Sequence, residues 1–258
     1  WGVAGVAAAT DIANVISAGM LLLALVRSDD IIHLELRGLR LDPKLLKDIV
    51  AIGLPAGIQG MVFSLSNILI QAAINSLGPD AMAASAAAFT IEVNVYCVLS
   101  AFAQATTTFV SQNYGAGNLP RCFQITKVGM LLDVGFTVGM AALVLFFAHP
   151  LLGLFNADPV VVGLGITRLW YIVAPEFLQV FIDGFSGALR GYGYSLQPAM
   201  LTLIGICGVR ITWLYTLFAA HPTYEVLMAC YSVSWLVTGI FIALLYQFYC
   251  RHIKVIRL

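Results

Sequence analysis

Three carboxylates sit where a carboxylate is expensive. Glu92, Glu176 and Asp183 fall inside long apolar runs of a chain of 258 residues. Insertion scales place a charge at the middle of a bilayer about 2.5–3.5 kcal/mol above its level in water. An unpaired acid there serves no packing purpose, and desolvation disfavours its charged form. Such a group suits the uptake of a proton, or its exchange for a sodium ion. Glu176, Gln179 and Asp183 share one helical face, with Pro175 just before them. Proline removes a helical hydrogen bond, so that turn is expected to kink or loosen. A second stripe, Glu92, Tyr96, Ser100, Gln104 and Thr108, recurs at every fourth residue, and a third comprises Ser64, Asn67, Gln71 and Asn75. Three polar stripes on three helices call for a shared interior, lined by protein or wet. The plainer use of Asn, Gln and Ser is to join helices, at about 0.6 kcal/mol each. Arg168 and Arg210 are placed to neutralise two of the acids, while Asp11 and Asp133 stand alone on their segments.

The elements that must carry these residues are membrane spans. The chain is 60% hydrophobic and 10% charged, with a mean hydropathy of +0.93. A soluble domain of this length needs a hydrated, charged surface that such a composition does not supply. The net charge of zero gives no basic patch for nucleic acid. A span needs about 20 apolar residues in a helix. Seven stretches qualify: 1–26, 51–77, 81–112, 121–148, 159–188, 196–220 and 223–250. Turn chemistry separates them at Gly78-Pro79-Asp80, at 115–118, at His149-Pro150 and at His221-Pro222. The runs are continuous rather than alternating, which excludes a β-barrel.

Cations fix the expected polarity. The first connection holds Arg27, Arg37, Arg40, Lys44 and Lys47, the third Arg121 and Lys127, the fifth Arg190, and the tail Arg251, Lys254 and Arg257. The even connections hold none, so the odd connections and the C-terminus are expected in the cytoplasm and Trp1 outside. Asp42 and Pro43 read as an N-cap followed by the first helical residue. A short amphipathic helix is expected after them, with Leu45, Leu46, Ile49 and Val50 on its apolar face. The expected organisation is therefore one helix (1–26), a cytoplasmic connection (27–50) and six helices (51–258). The odd first helix, beginning at Trp1 rather than Met, points to a longer reading frame.

These residues resemble the multidrug and toxic compound extrusion (MATE) family over essentially the whole chain. The resemblance is carried by GLPAGIQGMVFSLSNILIQAAINSLG (Gly53 to Gly78) and AFAQATTTFVSQNYGAGNLPR (Ala101 to Arg121). ALRGYG (Ala188 to Gly193), VRITWLY (Val209 to Tyr215) and the opening GVAGVAAAT (Gly2 to Thr10) add to it. It implies an all-α integral membrane fold: one six-helix lobe of a two-lobe transporter, preceded by the last helix of an N-terminal lobe of the same chain. It also implies antiport, with sodium or protons driving amphipathic, often cationic compounds out of the cell across the plasma membrane, and no bound cofactor. Glu92, Glu176 and Asp183 would then be the acidic candidates, with Asn67, Gln71, Tyr96, Gln104 and Gln179 lining the cleft. Two positions depart from the family pattern. Phe63 stands eight residues after Pro55, where some members carry glutamate. Gln179 stands eleven before Arg190, where some carry aspartate, and Asp183 lies one turn further along.

Other classes fit less well. A lipid-linked oligosaccharide flippase of the same superfamily would want a wide cationic cleft, and only Arg168 and Arg210 lie within spans. A retinal protein needs a lysine deep in its last helix, and 223–250 has none. No HExxH or GxSxG pattern is present for an intramembrane enzyme. The five cysteines lack metal-ligand spacing and read as small apolar residues.

Overall fold

The computed structural model describes residues 2–28, 33–35, 38 and 40–256. Expectations resting on Trp1, Arg37 and Arg257 lie outside that set, as does much of the first connection. The described residues form two compact units, 1–49 and 50–258. In the first, α1 (Gly2–Arg27) is a single apolar helix. Its exposed Val15, Ile16, Met20 and Leu21 suit lipid or protein rather than water.

Helix α2 (Pro43–Ser76) begins as expected: Asp42 Oδ1 accepts from Lys44 N at 2.8 Å and from Leu45 N at 3.4 Å. The amphipathic segment and the second span are one continuous helix of 34 residues, about 50 Å at 1.5 Å per residue. Then follow α3 (Pro79–Gly115), α4 (Leu119–Phe146), the short α5 (Ala148–Gly153), α6 (Pro159–Ile172) and α7 (Phe177–Gly191). Asn118 and Asp158 cap α4 and α6 by accepting from Arg121 N and Val160 N. His149 and Pro150 do not break the chain where expected. They lie in the first turn of α5, where a missing N–H costs nothing.

The fifth span is not one rod. Helices α6 and α7 meet at 44° across residues 173–176. Pro175 cannot donate, and the turn is carried instead by short-range bonds such as Glu176 N to Val173 O. The sixth span is irregular in a way the sequence did not announce. After α8 (Leu196–Thr202), wide π-type turns occupy Leu203–Gly208 and Leu214–Phe218, flanking α9 (Val209–Trp213). Helix α10 (Tyr224–Ile256) closes the order.

Among the described residues, five helices are long and apolar enough to cross a membrane, and the bent α6–α7 pair makes six. Helix α2, at 34 residues, also has the length to span. Within the second unit, Ile70 and Ile74 of α2 pack with Ile182, Ile206, Leu227 and Ile242. A second core gathers Ile91 and Val95 of α3 with Leu152 and Leu169. The outer faces remain apolar, with Leu131, Phe136, Ile240 and Phe248 exposed. Such a surface is soluble in lipid, not in water.

Helix α7 approaches α3 closely because its contact residues are glycines. A Cβ on Gly187 would lie 2.8 Å from Thr107 Oγ1 and 2.9 Å from the backbone oxygen of Ala103. The backbone oxygen cannot step aside. Gly187→Leu should therefore cost about 1–3 kcal/mol, as overpacked sites do, read as a lower thermal midpoint of the detergent-solubilised protein. Gly135→Ala, with open space around it, should leave that midpoint unchanged or higher.

Candidate functional site

Helix α3 carries Glu92 inward, and α6 carries Arg168 to meet it. Arg168 Nε donates to Glu92 Oε1 at 2.7 Å and Nη2 to Oε2 at 2.9 Å. Both residues are buried, at 4% and 7% exposure. This two-point geometry is the strong form of a charge pair, and it is the form that repays desolvation best. Tyr231 of α10 lies beside both arginines, with its ring centroid 5.9 Å from the Arg168 guanidinium and 4.2 Å from that of Arg210.

Arg210 departs from expectation. It pairs with no acid: Nε donates to Ser234 Oγ at 3.4 Å and Nη1 to Asn67 Oδ1 at 3.2 Å. Its place in α9, between two wide turns, aims it at α2 and α10 instead of α7. Its charge is met by neutral oxygens and an aromatic face.

The bend at Pro175 delivers Glu176 to the interior just before α7 begins. Glu176 is 3% exposed, and its Oε2 has no hydrogen-bond partner. It lies near enough to Glu92 for their charges to interact. Three residues on, Gln179 donates from Nε2 to Asp183 Oδ2 at 3.3 Å, while its own buried Oε1 is unpartnered. The face of Glu176, Gln179 and Asp183 thus forms as the spacing predicts.

Asp133 is not alone, contrary to the reading of its helix. It is buried at 2% exposure and accepts from Thr137 Oγ1 at 3.1 Å. Its charge interacts with that of Asp183 across the α4–α7 contact. A threonine one turn after a buried aspartate was the available signal.

The Glu92 stripe also differs from expectation. Glu92 is buried, whereas Tyr96, Gln104 and Thr108 are exposed. Four residues turn a helix by 400°, so each step drifts about 40° and the five residues sweep roughly 160°. The stripe winds from the lobe interior to its surface and is not one wall. Tyr96 still lies close enough to Asp183 and Glu176 to interact with both. The steps of three, four and four on α2 cancel that drift, and Ser64, Asn67, Gln71 and Asn75 are all exposed on one face. Gln71 Nε2 donates to Asn75 Oδ1 at 2.9 Å.

Among the described residues no group of three or more His, Cys, Asp or Glu is arranged to hold a metal ion. Two apolar grooves, of about 520 Å³ between α3 and α4 and about 620 Å³ beside α9, are lined by none of the acids.

Removing one member of the Glu92–Arg168 pair strands the other. Glu92→Leu or Arg168→Met alone should cost about 3–5 kcal/mol. Glu92→Leu combined with Arg168→Met should cost less than the sum of the single changes, read from thermal unfolding of the four proteins in a double-mutant cycle.

Comparison with known proteins was made against this geometry. The MatE family model matches residues 55–216. A probable multidrug resistance protein NorM of Thermotoga maritima is 26% identical over 212 residues, covering 81% of this chain and 45% of its own length. An FAD transporter of Shewanella oneidensis is 28% identical over 207 residues, covering 78% of this chain and 44% of its own. The chain spans about half the length of the curated relatives it matches. A crystal structure of MATE in complex with MaL6 superposes with a TM-score of 0.88 at 21% identity, covering 98% of this chain and 58% of the other, which shows the fold. The chain is a multi-pass, all-α membrane protein and belongs to the multidrug and toxic compound extrusion family.

Proposed function

We propose that the chain forms one lobe of a cation-coupled antiporter that exports amphipathic, often cationic compounds by alternating access. The observation that carries this reading is the exposed polar face of α2, Ser64, Asn67, Gln71 and Asn75, on a lobe whose exposed surface is mostly apolar. Lipid cannot satisfy such a face. It fits the wall of a wet cleft, with Tyr96 and Gln104 of α3 exposed as well. A second lobe of the same protein would supply the facing wall. In this organisation residues 1–26 are the last helix of the preceding lobe, 27–50 the connection between lobes, and 51–258 the six-helix lobe.

The buried acids provide the means of coupling to sodium or protons. A charge moving down the membrane potential releases about 2.3 kcal/mol per 100 mV. The distribution of Arg and Lys among the connections supports a C-terminus in the cytoplasm, in a protein of the plasma membrane. A protein named as an FAD transporter among the relatives raises an anionic cargo as a second reading. A flippase for lipid-linked oligosaccharides would share that demand for free cations. Both buried arginines are already engaged, Arg168 by Glu92 and Arg210 by Asn67, Ser234 and Tyr231. That disposition favours the cationic cargo.

Dye efflux from proteoliposomes holding the complete transporter, under imposed proton or sodium gradients, tests the reading. Efflux of a cationic dye should follow one gradient. Gln71→Leu and Gln104→Leu should raise the half-saturating dye concentration while the gradient dependence persists. Absence of gradient-driven efflux for every cationic dye tried would transfer the assignment to an anionic or lipid-linked cargo.

A further inference from the structure

The four acids inside this lobe, three buried and Asp183 half-buried, are not equivalent, and the difference singles out one of them. Glu92 has both oxygens bonded to Arg168. Asp133 accepts from Thr137, and Asp183 accepts from Gln179. Glu176 has a buried oxygen with no donor at all. Gln179, 6% exposed, leaves its buried Oε1 unpartnered one turn away. An acceptor with nothing to accept from, sealed from water, can be satisfied by a proton on the carboxyl.

The charged and titratable groups around α7 and the Glu92–Arg168 pair include Glu92 and Tyr96 from α3, Asp133 from α4, Arg168 from α6, Tyr224, Tyr231 and Tyr246 from α10, Tyr192 at the end of α7, and Asp183 and Arg190 on α7 itself. Arg168 is the buried cation of this set, and Glu92 neutralises it. A hard metal cation gathers a shell of several oxygens, and among the described residues no such group of acids converges. The ion that fits one orphan oxygen is the smallest one.

We propose that Glu176 is the proton-carrying residue of this lobe, with the Glu92–Arg168 pair as its fixed, charge-neutral neighbour. The proposal rests on the antiport reading and names its coupling group. Protonated, Glu176 adds no charge beside the neutral Glu92–Arg168 pair. On losing its proton to the side on which the cleft is open, it leaves two carboxylates sharing one guanidinium. That excess of one negative charge favours a cationic compound in the cleft. Proton and cargo thereby compete for the same charge, which is the condition for exchange.

The test uses the complete transporter and two separate readouts. Glu176→Gln should abolish proton-driven dye efflux while dye–dye exchange without a gradient persists. In infrared difference spectra taken across a pH titration, the protonated-carboxyl C=O band should vanish in Glu176→Gln and persist, shifted in position, in Glu176→Asp. Because an amide needs no counter-ion, Glu176→Gln should unfold no earlier than the parent, which separates loss of coupling from loss of fold. Proton-driven efflux surviving in Glu176→Gln, or a carboxyl band unchanged by it, would overturn the proposal. Efflux that follows only sodium would overturn it too. If the unmodified transporter shows no gradient-driven efflux, the antiport reading fails, and the infrared band alone then decides whether Glu176 takes up the proton.

Discussion

The second unit is organised around one buried ion pair. Glu92 and Arg168 are 76 residues apart in sequence, and each satisfies the other's charge. Removing one of them would leave the other's charge buried without its hydrogen bonds, at a cost of about 3–5 kcal/mol. Their two-point contact fixes α3 against α6 in both distance and rotation. Tyr231 then packs beside Arg168, which ties α10 to the same point. The same ring lies over Arg210, whose bonds to Asn67 and Ser234 draw in α2 and α10. Five helices therefore meet on a chain of polar contacts, to which bonds such as Ser85–Tyr224 and Ser232 to Tyr171 O add further ties. In lipid, burial of apolar surface does little to hold helices together. Specific polar contacts and close glycine approaches, such as α7 upon α3, have to supply what hydrophobicity supplies in water.

Much of this architecture was legible in the sequence because the bilayer imposes strict rules. Continuous apolar runs marked the helices, and Asp42 capped its helix as its type predicts. Pro175 broke its span as a residue without an N–H must. The face of Glu176, Gln179 and Asp183 was legible because it is local: three residues within two turns have their geometry fixed by the helix itself. The Glu92 stripe was misjudged for the same reason in reverse. Over four steps the small mismatch between four residues and one turn accumulates until Glu92 and Thr108 no longer share a surroundings. The partners of Arg210 were hidden because neutral oxygens leave no charge pattern to match. The wide turns at 203–208 and 214–218 were hidden too, since their sequence differs little from ordinary helix.

The irregular places and the polar places coincide. Glu176 sits at the break between α6 and α7, and Arg210 sits in the short α9 between two wide turns. A regular helix aims its side chains at fixed angles and satisfies its own backbone, so it offers few ways to turn a charged group onto a chosen target. Breaking the regularity at depth is tolerable only where protein or a wet cavity covers the freed backbone groups. The break at 173–176 and the wide turn at 203–208 are packed inside the lobe with Ile172, Ile182 and Ile206, whereas no residue of the turn at 214–218 is buried.

The distribution of charge also constrains what this interior can do. Among the described residues of the second unit three acids and two arginines are buried and Asp183 is half-buried, and one arginine is spent on one acid while the other pairs with no acid. Unequal numbers would be a defect in a purely structural core, because every uncompensated carboxylate must either find a donor or give up its charge. Asp133 and Asp183 reach a compromise with a hydroxyl and an amide. Glu176 reaches none. A group held in that condition is sensitive to any cation that comes near, and the exposed polar face of α2 offers a surface on which a larger cation could rest. The two features together, an interior charge without a partner and an external wall without a cover, give the lobe a reason to respond to what binds beside it. Neither feature alone would do so: a covered wall admits no cargo, and a fully paired interior has no charge state left to change.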